Sequence, residues 1–146
     1  MNNSKSNNFS LEFEGKRFLI VDDDPIIRMV MKSMLKNWDH IIIDMASDGK
    51  QALELIKQSY YDLVIMDLQM PVLSGYQTAE AIRSGACGEL RKNTPLLAVT
   101  ADLSDMAKTK SSQMNYVLIK PFDLEKLETA ILYCLRPGEQ LNKQAN

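Results

Sequence analysis

The chain has 146 residues, 45% hydrophobic and 25% charged, the size and mixture of one ordinary domain around a single core. With 17 basic residues against 19 acidic ones the formal charge is −2, so there is no broad positive field to hold a nucleic acid backbone and direct DNA binding is not expected. No apolar stretch reaches the ~20 residues that span a bilayer, and the polar amino terminus does not read as an export signal. Cys87 and Cys134 have no Cys or His nearby, which speaks against zinc and disulfides and for a reducing cytoplasm.

Residues 1–14 open with Asn, Ser and Lys and read as a flexible tail. The first aliphatic run, Arg17 to Val21, is followed by Asp24 as an N-cap and Pro25 at the first helical position. Ile27, Val30 and Met34 then fall on one face, expected to be buried. A second run, Ile41 to Ile43, precedes Ser47-Asp48-Gly49 and a helix carrying Ala52, Leu55 and Ile56. A third, Leu63 to Met66, ends at Asp67, and a helix is expected from Gly75 to Arg83. The fourth run is Leu96 to Val99 and the fifth Val117 to Ile119, with a fourth, shortened helix expected between them. After Pro121 the last helix carries Leu124, Leu127, Ile131 and Leu135, and residues 138–146 form a second polar tail beyond Pro137.

This is a strand and a helix repeated five times over residues 15–137. Continuous aliphatic strands alternating with helices predict an α/β three-layer sandwich, a five-stranded parallel sheet with five helices covering both faces. Ligands of such sheets sit beyond the carboxyl ends of the strands. There stand Asp22, Asp23 and Asp24 after the first run, Asp67 after the third, Thr100 after the fourth, and Lys120 with Pro121 after the fifth. Clustered carboxylates repel one another unless a cation neutralises them. Their oxygen chemistry suits Mg2+, which takes few carboxylates and leaves positions for phosphoryl oxygens. A lysine and a hydroxyl beside them are the donors that phosphoryl transfer uses.

The ordered set Val21-Asp22-Asp23-Asp24-Pro25, Met66-Asp67-Leu68-Gln69-Met70-Pro71 with Gly75, Thr100-Ala101 and Lys120-Pro121-Phe122 resembles the response-regulator receiver family of two-component signalling, the chemotaxis receivers among them. The resemblance covers about residues 15–136. It implies a flavodoxin-like, doubly wound sheet, with Asp67 as phosphoacceptor and Asp22 and Asp23 as the acidic pair for Mg2+. It also implies Asp67 itself and the backbone carbonyl of Gln69 as further ligands, and Thr100 and Lys120 as phosphoryl contacts. Asp24 stands where the family varies and is assigned to capping. The implied partners are a sensor histidine kinase or a histidine phosphotransfer protein, with no nucleic acid and no membrane. The implied chemistry is limited to the chain's own phosphorylation and dephosphorylation, so it is not an enzyme acting on other substrates. A cis Lys120-Pro121 bond is also implied.

One residue departs from the family. Three positions before the lysine an aromatic ring is usual, and here Val117 stands there; Tyr116, one residue earlier, should point to the opposite face. Signalling is therefore expected to run through the loop after Thr100, residues 101–110. Trp38, the single tryptophan, is the natural fluorescent reporter for metal titration.

Three rivals are weighed. An aspartate-nucleophile phosphatase wants a second Asp two residues after Asp67, and Gln69 stands there. A nucleotide-binding module wants a glycine-rich loop after the first strand, where this chain presents carboxylates that repel phosphates. A receiver module of a hybrid sensor kinase, rather than a stand-alone regulator, is compatible with the lead-in from Leu11 to Arg17. His40, in a loop-like stretch, is read as an ordinary loop residue.

Overall fold

The computed structural model describes residues 12–38, 40–105 and 113–136. Among these residues five strands are formed: β1 (Arg17–Val21), β2 (Ile42–Ala46), β3 (Leu63–Asp67), β4 (Leu96–Thr100) and β5 (Tyr116–Ile119). The helices among the described residues are α1 (Pro25–Met34), α2 (Gly49–Gln58), α3 (Gly75–Arg83) and α4 (Leu124–Leu135), with a 3-10 turn at Glu89–Arg91. The fourth of the five expected helices, between β4 and β5, lies largely outside the described residues, as do most of both tails.

All pairings are parallel and the strand order is β2-β1-β3-β4-β5, the doubly wound flavodoxin-like arrangement. β3 and β4 are buried along their whole length, while β2 and β5, at the edges, are only partly covered. Pleating splits the core into two layers. Phe18, Ile20, Leu63, Ile65, Leu97, Val99 and Leu118 pack under Met31 and Leu35 on one side and Leu127, Ala130 and Ile131 on the other. On the opposite face Leu19, Val21, Val64, Met66 and Leu96 meet Ala52 and Ile56 of α2 and Ala79 and Ile82 of α3. Cys134 belongs to the first layer and Cys87 to the second, both as free thiols.

Helix starts are set by short polar side chains. Asp24 accepts from the Ile26 amide at 2.8 Å with Pro25 in the first turn, Asp48 from Gln51 at 2.7 Å, and Asp123 from Lys126 at 2.9 Å. Ser74 and Gln77 cap α3 reciprocally. Each cap satisfies amides that the helix leaves without a partner.

The structure corrects the sequence reading in three places. On α1 the buried residue is Met31, with Ile27 and Met34 half-buried, whereas Val30 is 49% exposed. The helix is apolar on more than one face, so periodicity alone misplaced its inner side. Leu124 on α4 is likewise 36% exposed while Leu127 and Ile131 are fully buried. Phe13, placed in the tail, is 5% exposed. Its ring stacks on Trp38 at 5.7 Å between centroids, Arg136 lies 5.4 Å over it, and Arg136 pairs with Glu12.

Candidate functional site

Register builds the site. β1 and β3 are neighbours with Val21 opposite Met66, so the next residues, Asp22 and Asp67, emerge side by side at the carboxyl edge. Asp67 lies opposite Val99 of β4, and Thr100 opposite Ile119 of β5. Thr100 and Lys120 are therefore delivered to the same edge, at the crevice where strand order reverses.

Asp22, Asp23 and Asp67 each place a carboxylate oxygen within 4.8 Å of the others. Asp22 and Asp67 are 3% and 9% exposed, and Asp23 lies at the surface. Burial foremost pushes the Asp22 carboxyl above its ordinary range; repulsion from Asp67 and Asp23 adds to this, while the Asp24 amide and Lys120 oppose it. Asp67 is raised in the same way, burial first, with Asp23 adding and with Lys120 and the amides of Gln69 and Leu68 opposing. The charged forms thus lack sufficient compensation from the protein alone. A small divalent cation with oxygen preference would supply what is missing, and three carboxylates in reach of one point are a donor set that fits it.

Backbone contacts fix these side chains. The Asp24 amide donates to Asp22 Oδ1 at 2.9 Å and the Gln69 amide to Asp67 Oδ1 at 3.1 Å. The Lys120 ammonium lies 4.0 Å from Asp22 Oδ2, and the Lys120-Pro121 bond is cis, as expected. Thr100 is 1% exposed, and its hydroxyl is turned to a residue the sequence reading passed over. It donates to Asp105 Oδ2 at 2.5 Å and accepts from the Asp102 amide at 3.1 Å.

Two further residues escaped the sequence. Arg28 Nη1 donates to the backbone carbonyl of Asp22 at 2.6 Å, tying α1 to the strand end. Tyr76, on the first turn of α3, has a hydroxyl sealed from solvent; burial first, then the Asp105 carboxylate, drives its pKa well above the ordinary phenol value. An aspartate in a polar loop carries no sequence signal of burial, so only the fold reveals Asp105. Asp24 serves as the cap it was assigned to be. Trp38 lies in the loop from α1 to β2, at the amino edge of the sheet, 2% exposed and donating to Glu128 at 3.0 Å. It stands at the wrong end to report on metal.

Strand alternation holds at β5. Tyr116 packs against the first core layer with its ring 5.0 Å from that of Tyr133. Val117, opposite Ala98, faces the other side, the side of Thr100 and α3. No ring occupies the usual aromatic position.

Known proteins bear on this geometry. Residues 18–132 match the family model of the response regulator receiver domain. A probable transcriptional regulator, ycf27 of Guillardia theta, is 34% identical over 137 residues, covering 90% of this chain and 50% of that protein. The chain spans about half the length of the curated ycf27 relatives it matches. The receiver domain of the sensor histidine kinase PA1611 from Pseudomonas aeruginosa, with magnesium coordinated in its active-site cleft, is 29% identical with a TM-score of 0.74, covering 83% of this chain and 98% of that one. A chain of the Saccharomyces cerevisiae complex between the phosphotransfer protein Ypd1 and the receiver domain of Ssk1 is 31% identical with a TM-score of 0.72, covering 84% and 90%. Five parallel strands in this order, an acidic cleft over β1 and β3, and a family match across most of the chain lead to one assignment: the chain belongs to the response regulator receiver domain family of two-component systems.

Proposed function

We propose that the chain accepts a phosphoryl group from a phosphohistidine onto Asp67 in a Mg2+-dependent reaction. The observation that carries this is the convergence of Asp22, Asp23 and Asp67 within 4.8 Å beside Lys120. Asp22, Asp23, Asp67 and the Gln69 carbonyl would hold the ion, which when bound neutralises charge on the carboxylates and the incoming phosphoryl oxygens. One Asp67 oxygen attacks phosphorus, a P–O bond forms as the P–N bond breaks, and the imidazole nitrogen keeps the electron pair and later takes a proton. Lys120 and, once its hydroxyl is free, Thr100 donate to the equatorial oxygens. Water later cleaves the acyl phosphate, so the chain catalyses only its own phosphorylation and dephosphorylation.

The donor partner is a sensor histidine kinase or a histidine phosphotransfer protein. Asp67 sits in a cleft, so the donor must press against its rim, and α1 begins at that rim. Its outer face exposes Ile26 at 69%, Met29 at 69% and Val30 at 49%, an apolar patch suited to a helical partner. The step is the same in a stand-alone regulator and in the receiver module of a hybrid sensor kinase. A cytoplasmic setting accords with the two free, buried cysteines; among the described residues no helix is long and apolar enough to cross a membrane.

Incubation with a small phosphodonor and Mg2+, read by intact mass, tests the reading. One phosphoryl group should be gained, lost on mild base and absent in Asp67→Asn. A base-labile, metal-dependent adduct that persists in Asp67→Asn refutes the assignment.

A further inference from the structure

We infer that Asp105 is a latch on Thr100, a positioning residue that holds the hydroxyl away from Asp67 until a phosphoryl group competes for it. The inference rests on the phosphoacceptor reading and deepens it by naming what the arriving phosphoryl group must displace.

A hydroxyl has one proton to give. In the structure Thr100 gives it to Asp105 Oδ2 at 2.5 Å, with both residues nearly sealed from solvent at 1% and 3% exposure. A short bond from a hydroxyl to a buried carboxylate is among the stronger neutral-to-charged contacts in a protein. Thr100 cannot make it and also donate to a phosphoryl oxygen on Asp67. The two acceptors are alternatives, and transfer between them is a two-state event.

Tyr76 determines what is left behind. α3 packs on the same face of the sheet as Thr100 and Val117, where Val117 leaves no aromatic ring. The Tyr76 hydroxyl is buried there, under the influence of the Asp105 carboxylate. When Thr100 leaves, the buried Tyr76 phenol can turn its proton to Asp105, so that the carboxylate is not stranded as a buried charge. The first partner of a buried carboxylate is worth more than the second, because losing it leaves the group with none. Tyr76 therefore favours the released state, whereas Asp105 favours the latched one. Asp105 also lies at the end of the segment Thr100–Asp105, whose turns are held by the Asp105 amide on the Asp102 carbonyl and the Ser104 amide on the Asp102 carboxylate. Breaking the latch frees this segment to move.

The test is titration of the 146-residue chain with beryllium fluoride in excess Mg2+, followed by NMR of the Thr100 methyl and the Asp102 amide. Asp105→Ala should bind the phosphoryl mimic roughly tenfold more tightly, and Asp105→Asn, which keeps the volume and weakens the acceptor, a few-fold more tightly. Tyr76→Phe should shift affinity the other way, roughly threefold weaker. In a Thr100→Val background the Asp105 substitutions should have no effect. A merely structural role moves Asp105 and Tyr76 variants in the same direction and survives in Thr100→Val, and either result overturns the latch. If Asp105→Ala does not fold, the opposed shifts of Asp105→Asn and Tyr76→Phe still decide. If the unsubstituted chain takes up no mimic in Mg2+, the phosphoacceptor reading falls and the latch with it; uptake with unchanged variants removes the latch alone.

Discussion

Gly75 opens α3, and its amide donates to the Leu68 carbonyl at 3.0 Å. A Cβ there would lie 2.5 Å from the Asp67 carbonyl oxygen and 2.7 Å from Leu68 Cα. Both atoms are backbone, so no side-chain rotation relieves the clash. Even a tight contact of about 3.0 Å requires a shift of roughly half an ångström against the packed interior. β3 cannot retreat: it is buried along its length, and Leu68 continues its pairing through a bond to the Val99 carbonyl at 3.1 Å. On helix propensity alone Gly75→Ala would gain about 0.5–1 kcal/mol. Overpacking costs about 1–3 kcal/mol, and here it falls on the peptide that carries Asp67, the proposed phosphoacceptor.

Gly75→Ala should thus lose about 1–2 kcal/mol of stability and also bind Mg2+ several-fold more weakly, because the Asp67 carboxylate is displaced from Asp22 and Asp23. Urea unfolding and a metal titration followed by amide NMR measure the two effects. Gly49→Ala is the control. Its Cβ would meet Thr78 Oγ1 at 2.1 Å and the Leu73 carbonyl at 3.0 Å, between α2 and α3 and away from the carboxylates, so stability should fall with metal affinity unchanged. A Gly75→Ala chain that is as stable as the original and binds Mg2+ equally well would refute the claim that this glycine sets the position of Asp67.

Val72, 93% exposed in the loop from β3 to α3, sits at φ +69°, where a β-branched side chain is strained by about 1 kcal/mol or more. Val72→Gly should raise the urea midpoint without changing phosphorylation, and a lower midpoint would mean that the side chain contributes what the backbone loses. The Asp22 and Asp67 carboxyls are held above their ordinary value of 3.8, so the folded chain binds these protons more tightly than the unfolded one. Their contribution to stability is full at pH values below the ordinary one and lost as pH rises through the raised folded values. In chelator, Asp67→Asn should therefore melt a few degrees higher than the original at pH 7, with the difference shrinking toward pH 4; added Mg2+ should raise the original more than the variant, and the opposite order would show that the cluster is not short of positive charge. Met29→Lys should slow transfer from a phosphohistidine protein about tenfold while leaving transfer from a small phosphodonor unchanged, the desolvation cost of one buried lysine being ample for that; equal slowing with both donors would take docking away from α1.

The site was legible in the sequence because parallel strands convert sequence position into spatial position. Once Leu63 to Met66 and Arg17 to Val21 are read as neighbouring buried strands, the residue after each must lie at the same edge, and Asp22 meets Asp67 with no further information. The same logic delivered Thr100, Lys120 and the opposite facing of Tyr116 and Val117. What stayed hidden depends on contacts between segments that no periodicity links. Asp105 is buried because a loop folds back over Thr100, and Arg28 reaches a carbonyl, which every residue offers alike. Phe13 is buried because Trp38, after α1, and Arg136, after α4, happen to converge on it. On α1, six apolar residues among ten gave more than one candidate face, and the surplus was resolved only by seeing which one the sheet covers.

That surplus is itself informative, because one short helix carries three separate demands. Its amino end must hold the acidic pair in place, which Asp24 does by capping and Arg28 by gripping the Asp22 carbonyl. Its inner face must close the core, which Met31 does. Neither demand explains Ile26, Met29 and Val30 in water, since each would be more soluble and equally helical as Lys or Glu. In the proposed transfer the partner is itself negatively charged at the phosphoryl group, for which an acidic cleft offers little affinity, so binding energy would have to come from beside the charges rather than from them. Apolar area on the rim supplies it without altering the electrostatics that the transfer needs. On the proposed reading the carboxylates and Lys120 can then be arranged for the transition state alone, while the helix that positions them also selects the partner.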